Sequence, residues 1–406
     1  MKAWGSISRP AVLLGALLTA CGGGAAAPAS SVPAAAPASS SAPAAASASS
    51  AGAKPSAVST SAPASAGPAS GSAPSGSAPA SPASSAAATK PSPAASGATT
   101  IQFGTIPSIN SEVYYLPTDI GEMAAKGLDV KFTTVTSTPQ TLVAVAGGKL
   151  DMGVSSISAA FLNAFVRGTD LKVVASAGVE APGHAAFLPV LARSDLYDSG
   201  QLTTAAQLKG KKVALNCTAC GIEYDLYEVL KPAGLKVSDV DLVTMPWPDM
   251  IVALGNKSID AGLIAQPLAT QAVAKGVAKI LADDYAAGQQ NAVIVANSKF
   301  LQQHGDAAAT FLEVMLKTGR QLNGGKIKTD PQALASIQKW TKIPADVVKG
   351  APDPYWVPNG QINRASIGQQ QAYFIANKEV DYTQPLNVDS IIDQTALNQA
   401  VKQLGS

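Results

Sequence analysis

The residues best suited to chemistry in this 406-residue chain are Cys217 and Cys220, which are separated by two residues. They follow a predicted strand, Val213–Leu215, and precede a predicted helix, where a thiol is acidified and reactive. Three states remain open for them: a tight structural disulfide that shapes this loop, two free thiols, or a redox or soft-metal site. Export of the chain, argued below, favours the disulfide. Zinc is disfavoured because the sequence has neither a second Cys-x-x-Cys pair nor a nearby pair of histidines.

Other candidate reactive groups are few. His184 and His304 are the only histidines. His184 falls in a predicted loop, where it is either solvated, the simpler interpretation, or in contact with a ligand. His304 lies in a polar helical stretch and is expected to be exposed. The sequence therefore predicts no metal site and no cofactor.

Ser155, Ser156 and Ser158 lie between a short predicted strand and a predicted helix. No Gly-x-Ser-x-Gly elbow surrounds them, and the chain has neither a phosphate loop nor a Gly-x-Gly-x-x-Gly fingerprint. Serines at a helix N-terminus are good hydrogen-bonding groups for a small polar ligand. We therefore expect these serines to bind rather than attack, and we expect no catalytic residue and no enzyme.

Strand-like and helix-like segments alternate through the second part of the chain. Strands are predicted at Thr100–Ile106, Asp129–Thr136, Leu150–Val154 and Lys172–Ser176, with helices between them, and a second unit of the same style ends near Ile264. This alternation predicts an α/β fold with two lobes, each a mostly parallel sheet flanked by helices. Ligands of such sheets bind beyond the carboxyl ends of the strands, so a cleft is expected between the lobes.

The N-terminus has the layout of a secretory signal peptide. Lys2 and Arg9 precede an apolar run of about ten residues, which is too short to span a bilayer. Leu-Thr-Ala then stands directly before Cys21, which resembles the bacterial lipobox. Residues 1–20 are therefore predicted to be removed and Cys21 to be lipid-modified. The alternative is an ordinary cleaved signal with an incidental cysteine.

Residues 21–100 are almost entirely Ala, Ser, Pro and Gly, with Lys54 and Lys90 as the only charges. Such a segment cannot bury enough apolar area to fold, so it is predicted to be a disordered linker. The formal net charge of the whole chain is +2 and there is no basic tract, so nucleic acid is excluded as an expected partner. Lobe 1 is predicted to comprise residues 101–192 and 293–406, and lobe 2 residues 193–292.

Five segments occur in a characteristic order: Lys126–Val130, Gly148–Gly153, Leu208–Ala214, Ala233–Val240 and Pro248–Ala261. Together they resemble the substrate-binding proteins of ABC importers, in particular the nitrate/sulfonate/taurine-binding group, whose relatives include thiamine-pyrimidine-binding proteins. The resemblance implies a type II periplasmic-binding-protein fold. Such a protein closes by hinge bending on a small molecule and delivers it to a membrane permease.

The resemblance and the strand ends together predict the ligand-binding residues. They are Ser108, Asn110, Thr136, Ser137, Ser155, Ser156, Ser158, Glu180, Asn216, Cys217, Gly221, Trp247, Asp249 and Gln266. Two segments depart from the group's pattern: Gln266-Pro267 replaces Glu-Pro, and Asn216–Gly221 replaces a Gly- and Ser-containing turn. The identity of the ligand therefore cannot be inherited.

The predicted cleft loops contain Glu112, Glu180 and Asp249 but neither Lys nor Arg. Acidic groups without a guanidinium oppose an oxyanion. Aromatic faces at Tyr114, Tyr115, Tyr224 and Trp247 would suit a flat cation, although core or cleft-rim packing is the simpler explanation for any single one. We therefore expect a neutral or cationic nitrogen compound, such as a pyrimidine, rather than a sulfonate.

The predicted protein is an exported monomer, anchored by lipid to the cell membrane, with its folded module in the periplasm or cell envelope. Its partners would be the small-molecule ligand and the permease subunits. Two alternatives remain open: a sensor or surface lipoprotein that uses the same cleft, and an enzyme on the same fold that resembles a pyrimidine synthase.

Overall fold

The computed structural model describes residues 97–135, 138–180, 184 and 186–405. The predicted signal peptide, the predicted lipidation site Cys21 and all but the last four residues of the predicted linker lie outside these ranges. The first strand begins at Thr99, so the folded part starts slightly before the predicted linker end at residue 100. No helix in the described residues is both long and apolar enough to cross a membrane.

The strands are β1 Thr99–Thr105, β2 Leu128–Thr134, β3 Met152–Ser156, β4 Leu171–Val179, β5 Val190–Arg193, β6 Lys212–Leu215, β7 Asp241–Thr244, β8 Ala261–Leu263, β9 Ala278–Ala282 and β10 Gln290–Asn297. The helices are α1 Glu112–Asp119, α2 Glu122–Ala125, α3 Thr138–Ala146, α4 Ala159–Val166, α5 Ser194–Asp198, α6 Gly221–Leu230, α7 Trp247–Gly255, α8 Leu268–Ala274, α9 Ser298–Leu322, α10 Pro331–Thr341, α11 Ala345–Gly350, α12 Arg364–Ala376 and α13 Thr395–Leu404. Short 3₁₀ turns precede or link several of them.

The strands form two five-stranded sheets, in the orders β2-β1-β3-β10-β4 and β7-β6-β8-β5-β9. Each sheet is the centre of one lobe and is covered on both faces by apolar side chains from its own helices. The predicted two-lobed α/β fold is confirmed. Each sheet is mixed, because β10 runs antiparallel to β3 and β4, and β5 runs antiparallel to β8 and β9.

The predicted lobe boundaries at residues 192 and 293 were several residues too late. β5 pairs in the second sheet, so the chain enters lobe 2 between residues 180 and 189. β10 pairs in the first sheet from Gln290 onward, so the chain returns to lobe 1 between residues 283 and 289. Both errors have the same cause. β5 and β10 each lie directly after a crossing, and each pairs within the sheet of the lobe that the chain is entering.

The two lobes contain an internal duplication. Residues 139–153 and 248–262 carry Pro, Val, Ala, Asp and Gly at equivalent positions. In lobe 1 the Asp151 Oδ2 atom accepts the Gln102 N–H at 2.7 Å, and in lobe 2 the Asp260 Oδ2 atom accepts the Lys212 N–H at 3.0 Å. Each aspartate thus ties the start of the sheet's third strand to the neighbouring strand. The same local device orders both sheets.

One carboxyl group lies in the lobe 1 core without an obvious role there. Glu112 at the start of α1 is fully buried, and neither of its oxygens has a hydrogen-bond partner. Burial raises the pKa of Glu112 to about 9, the nearby Ser336 hydroxyl offsets part of this increase, and Asp119 and Asp330 raise the pKa further. The group is therefore protonated at neutral pH, because burying an unpaired charge is costly.

We expect Glu112→Gln to stabilise the protein above pH 6. With a folded pKa near 9 and an ordinary unfolded value near 4.5, the unfolded chain releases a proton that the folded chain holds. Stability is therefore lost as the pH rises between these values. The amide removes this dependence and should add roughly 1 to 3 kcal/mol to the free energy of unfolding at pH 8. Urea unfolding of both proteins at pH 5 and pH 8 measures the effect, and an equal difference at the two pH values would contradict it.

Candidate functional site

A small cavity lies between the lobes beside the two chain crossings. Three of the predicted ligand-binding residues line it: Asn110 from lobe 1, Glu180 at the first crossing and Gln266 from lobe 2. The remaining lining residues are Ile109, Val179, His184, Ala186, Phe187, Pro352, Asp353, Pro354 and Tyr355. The free volume of about 40 Å³ holds only a few water molecules. A ligand with several heavy atoms exceeds this volume.

Glu180 joins the two crossings. Its N–H donates to the Gln289 carbonyl at 3.0 Å, and its carbonyl accepts the Gly288 N–H at 2.6 Å. Its carboxylate accepts the Phe187 N–H at 3.0 Å and the Asn291 side-chain amide at 2.6 Å. Burial raises the pKa of Glu180, and these two hydrogen bonds lower it in part. This residue fixes the geometry of the hinge and presents an acidic group to the cavity.

A second buried acid accompanies Glu180. Asp225 on α6 is completely buried, and its Oδ1 atom accepts the Gln289 side-chain amide at 2.5 Å. Burial raises the pKa of Asp225 well above its usual range, and Glu180 raises it further. Three buried oxygens here have no hydrogen-bond partner: Asp225 Oδ2, Gln289 Oε1 and Asn291 Oδ1. The amide oxygens of Gln289 and Asn291 are acceptors, so the hinge has at least two acceptors that no donor among the described residues satisfies.

The lobes also touch through a backbone contact away from the hinge, which we call the interlobe bridge: Ile157–Ala159 of lobe 1 against Ala219–Gly221 of lobe 2. The Ala159 N–H donates to the Ala219 carbonyl at 2.9 Å, and the Gly221 N–H donates to the Ile157 carbonyl at 2.9 Å. Ser158 and Cys220 face each other between these bonds as an antiparallel pair. This contact joins the N-termini of α4 and α6.

Two of the predicted residues of this region, Ser158 and Gly221, belong to the bridge. The Ser158 hydroxyl accepts the Phe161 N–H at 3.1 Å and caps α4. Ser155 is buried within β3, while Ser156 at its end is half-buried. Gly221 begins α6 within the bridge itself, where its N–H makes one of the two bonds.

A disulfide closes the lobe 2 side of the bridge. The Sγ atoms of Cys217 and Cys220 are 2.02 Å apart. Of the three states left open by the sequence, the structure has the disulfide.

Side chains reinforce the bridge. The Tyr373 hydroxyl on α12 of lobe 1 donates to Glu223 Oε1 on α6 of lobe 2 at 2.8 Å, and Glu223 Oε2 accepts the Ala219 N–H at 2.8 Å. Glu379 of lobe 1 lies beside Glu223, and burial together with the charge of Glu223 raises the pKa of Glu379 to about 8. A protonated Glu379 can therefore donate to Glu223 at neutral pH. As the pH rises through 8 it ionises, and this part of the interface weakens.

Four predicted ligand-binding residues lie elsewhere. The Ser108 hydroxyl lies 3.1 Å from the Ser111 hydroxyl and precedes a 3₁₀ turn in lobe 1. In lobe 2, Asn216 Oδ1 and Trp247 Nε1 are buried without a hydrogen-bond partner, and Asp249 is exposed in the first turn of α7. None of the four lines the cavity beside the crossings. Thr136 and Ser137 lie outside the described residues.

The aromatic residues expected as alternatives for a ligand-binding face are mostly structural. Tyr114 and Tyr115 are buried in lobe 1, where Tyr114 packs on Phe103 and Tyr115 stacks on Trp340. Tyr224 is buried against Tyr373 at the lobe interface. Core packing, the simpler of the two interpretations, explains these three.

Sequence reasoning missed several residues of the site. Tyr355 lines the cavity and packs against His184, with ring centroids 5.4 Å apart. Trp356 donates its indole N–H to the Asn110 carbonyl at 3.0 Å, which holds the C-terminal segment against lobe 1. The Pro-rich stretch around these residues was the available signal, but it does not reveal which side faces a cleft.

Within the described residues, no group of three or more His, Cys, Asp or Glu side chains is placed to hold a metal ion. The arrangement is instead suited to binding: two lobes, a tied hinge, a cavity between them, and a set of buried hydrogen-bonding groups.

Comparisons with known proteins agree with this architecture. The model of the NMT1-like family matches residues 94–337. A putative aliphatic sulfonates-binding protein of Escherichia coli (strain K12) is 27% identical over 211 residues, which is 52% of this chain and 61% of that protein. The alignment thus spans about three fifths of the relative's length.

Two solved structures share the fold. The alkanesulfonate-binding protein SsuA from Xanthomonas axonopodis pv. citri bound to MOPS is 19% identical, with a TM-score of 0.58 over 74% of this chain and 100% of that one. The periplasmic nitrate-binding protein NrtA from Synechocystis PCC 6803 is 16% identical, with a TM-score of 0.58 over 76% of this chain and 89% of that one. The resemblance read from the motifs is confirmed. The sulfonate-binding names run against the expectation that a sulfonate is disfavoured.

We expect Tyr373→Phe to shift the protein toward an open form. Loss of the hydroxyl removes one donor from the buried Glu223 carboxylate across the lobe interface, a change that costs about 1 to 3 kcal/mol. The radius of gyration measured by small-angle X-ray scattering should therefore increase.

The matched control is Tyr382→Phe, because the Tyr382 hydroxyl donates to Gln371 Oε1 at 2.9 Å within lobe 1 alone. That variant should keep the radius of the unmodified protein. Equal radii for both variants would show that the Tyr373 bond does not hold the lobes together.

Proposed function

This chain belongs to the NMT1-like family, and from that premise we propose that it is the ligand-binding component of an ABC importer. It captures a small molecule between its lobes outside the cytoplasm and delivers it to permease subunits in the membrane. On this proposal it is a binding protein and not an enzyme.

The observation that carries the proposal is the cavity formed by both lobes at a tied hinge. Asn110 and Gln266 reach it from opposite lobes, and Glu180 supplies an acidic group at the crossing. A ligand held by both walls binds the closed form better than the open form, so binding shifts the population toward closure. A transporter can then recognise the closed form.

The chemistry of the walls supports a ligand rich in N–H donors. No Lys or Arg is among the described residues that line the cavity. Glu180 and Asp353 supply carboxyl groups to the lining, and a carboxylate accepts hydrogen bonds from the N–H donors of a protonated amine or a nitrogen heterocycle. The names of the sulfonate-binding relatives, however, argue against excluding a sulfonate as the ligand. The proposal is therefore a ligand with a nitrogen donor group, whether or not it also carries an anionic group.

A matched set of probes separates these properties: ethanolamine has the amine alone, ethanesulfonate the sulfonate alone, and taurine both. We expect ethanolamine and taurine to bind more tightly than ethanesulfonate in calorimetric titration of the purified full chain. A probe at about 100 times its dissociation constant should add roughly 2.7 kcal/mol to stability and raise the melting temperature by several degrees.

Glu180→Gln should weaken the binding of the two amines at least tenfold, by roughly 1.4 kcal/mol, and leave the affinity for ethanesulfonate unchanged. Asp249→Asn removes an exposed carboxylate of lobe 2 outside the cavity and serves as the control. Tight binding of ethanesulfonate with no response to Glu180→Gln would contradict the proposed ligand class while keeping the binding function.

We also propose that Cys21 carries the lipid anchor, on the strength of the Leu18-Thr19-Ala20-Cys21 motif. Two acyl chains are needed for stable anchoring, since one chain gives only marginal membrane binding. Cys21→Ser should therefore release the protein from the membrane fraction of an expressing bacterium and abolish incorporation of labelled palmitate. Membrane association that survives the substitution would contradict the anchor.

A further inference from the structure

The interlobe bridge depends on an unusual loop. Outside the two crossings, the bonds Ala159 to Ala219 and Gly221 to Ile157 are the backbone hydrogen bonds between the lobes in the described residues. Both lobe 2 partners lie within or directly after the Cys217–Cys220 loop. The position of this short loop therefore decides whether the two bonds can form.

The backbone of the loop is held in a conformation that a free chain disfavours. Ala219 has φ of +51°, in the left-handed region where a residue with a Cβ atom is uncommon. Its carbonyl is the group that accepts the Ala159 N–H, and its own N–H donates to Glu223. Without a constraint, Ala219 would favour right-handed or extended backbone and turn its carbonyl away from lobe 1. Cys220 directly follows Ala219 in the chain, so its disulfide with Cys217 supplies that constraint.

We propose that the Cys217–Cys220 disulfide is a positioning element for lobe closure: it fixes the loop that hydrogen-bonds across the interface, and its reduction favours the open form. This role rests on the proposed function, in which closure retains the ligand. Reduction by a dithiol breaks the S–S bond, transfers two electrons and two protons to give two thiols, and converts the reductant to its own disulfide. An extracytoplasmic dithiol could thus release the bridge.

Amide hydrogen exchange tests this without any ligand. The Ala159 and Gly221 N–H groups report the bridge directly. The Val135 N–H, bonded to Thr105 in lobe 1, and the Met245 N–H, bonded to Leu215 in lobe 2, are matched references that each stay within one lobe. The full chain carries Cys21→Ser, so that only the pair responds to the reductant, and mass spectrometry verifies complete reduction.

Reduction is expected to speed exchange at Ala159 and Gly221 at least tenfold and to change the references less than twofold. The double variant Cys217→Ser, Cys220→Ser should behave as the reduced protein does. Unchanged exchange at the bridge in fully reduced protein would overturn the proposal. Equal acceleration at the references would also overturn it, because the disulfide would then support the fold as a whole.

A second arm ties the bridge to capture, with taurine as the probe. The reduced protein is expected to bind taurine at least fivefold more weakly than the oxidised protein. Failure of the oxidised protein to bind any probe would count against the proposed function, while the exchange measurement would still decide the role of the disulfide. Equal taurine affinity in both states, together with faster exchange at the bridge, would overturn its role in ligand retention.

Discussion

The hinge is the constraint on which the rest of the molecule depends. Glu180 binds the second crossing through both of its backbone groups and the first segment of lobe 2 through its side chain. Rotation of the lobes must preserve these bonds, because breaking them would leave a buried carboxylate and buried peptide groups without partners. Movement that preserves the hinge must instead separate the lobes at the interlobe bridge and at the Tyr373–Glu223 bond.

The duplication orders both sheets by the same device. Asp151 and Asp260 occupy the same place in the two sheets. The backbone carbonyl of each also accepts an N–H from the antiparallel strand: from Asn297 to Asp151 in lobe 1, and from Arg193 to Asp260 in lobe 2. In lobe 2 the Arg193 guanidinium adds a 2.9 Å contact to Asp260. The turns that meet across the cleft are not the equivalent ones. Ser158 before α4 faces Cys220 before α6, and Asn110 before α1 shares the cavity with Gln266 before α8.

The sequence was sufficient to predict the two α/β lobes, because the alternation of strands and helices and the order of the motifs are both visible in local sequence patterns. Two of those motifs, around Asp151 and Asp260, are the same motif twice, a relation visible in the sequence once the segments are aligned. The lobe boundaries were misplaced because β5 and β10 cross between sheets, and pairing partners are not a local property. Asn110, Glu180 and Gln266 line the cavity and lie five, one and three residues after the ends of β1, β4 and β8; their role in ligand binding stays a prediction.

Other parts of the site depend on distant chain segments. Tyr355 and Tyr373 reach the lobe interface from the C-terminal region, which packs across lobe 1 before returning to the cleft. Nothing in their local sequence predicts that position. Tyr114 and Glu112 show the converse: both stand near a cleft loop in the sequence, yet α9 and α10 cover them from more than 180 residues away in the chain. Burial by remote elements is the property that local patterns cannot supply.

The bridge bears directly on which ligands the closed form can accept. Free N–H groups at a helix N-terminus are the usual receptors for an oxyanion. Here the Ala159 and Gly221 N–H groups donate to carbonyl groups across the interface, and the Phe161 N–H donates to the Ser158 hydroxyl.

These three donors at the N-termini of α4 and α6 thus have partners within the protein. On the proposed function, an amine would bind with the bridge intact, whereas a sulfonate that used these three N–H groups would have to break the bridge. The loop between Asn216 and Gly221, where this chain departs from the family's pattern, supplies the Ala219 carbonyl that accepts the Ala159 N–H.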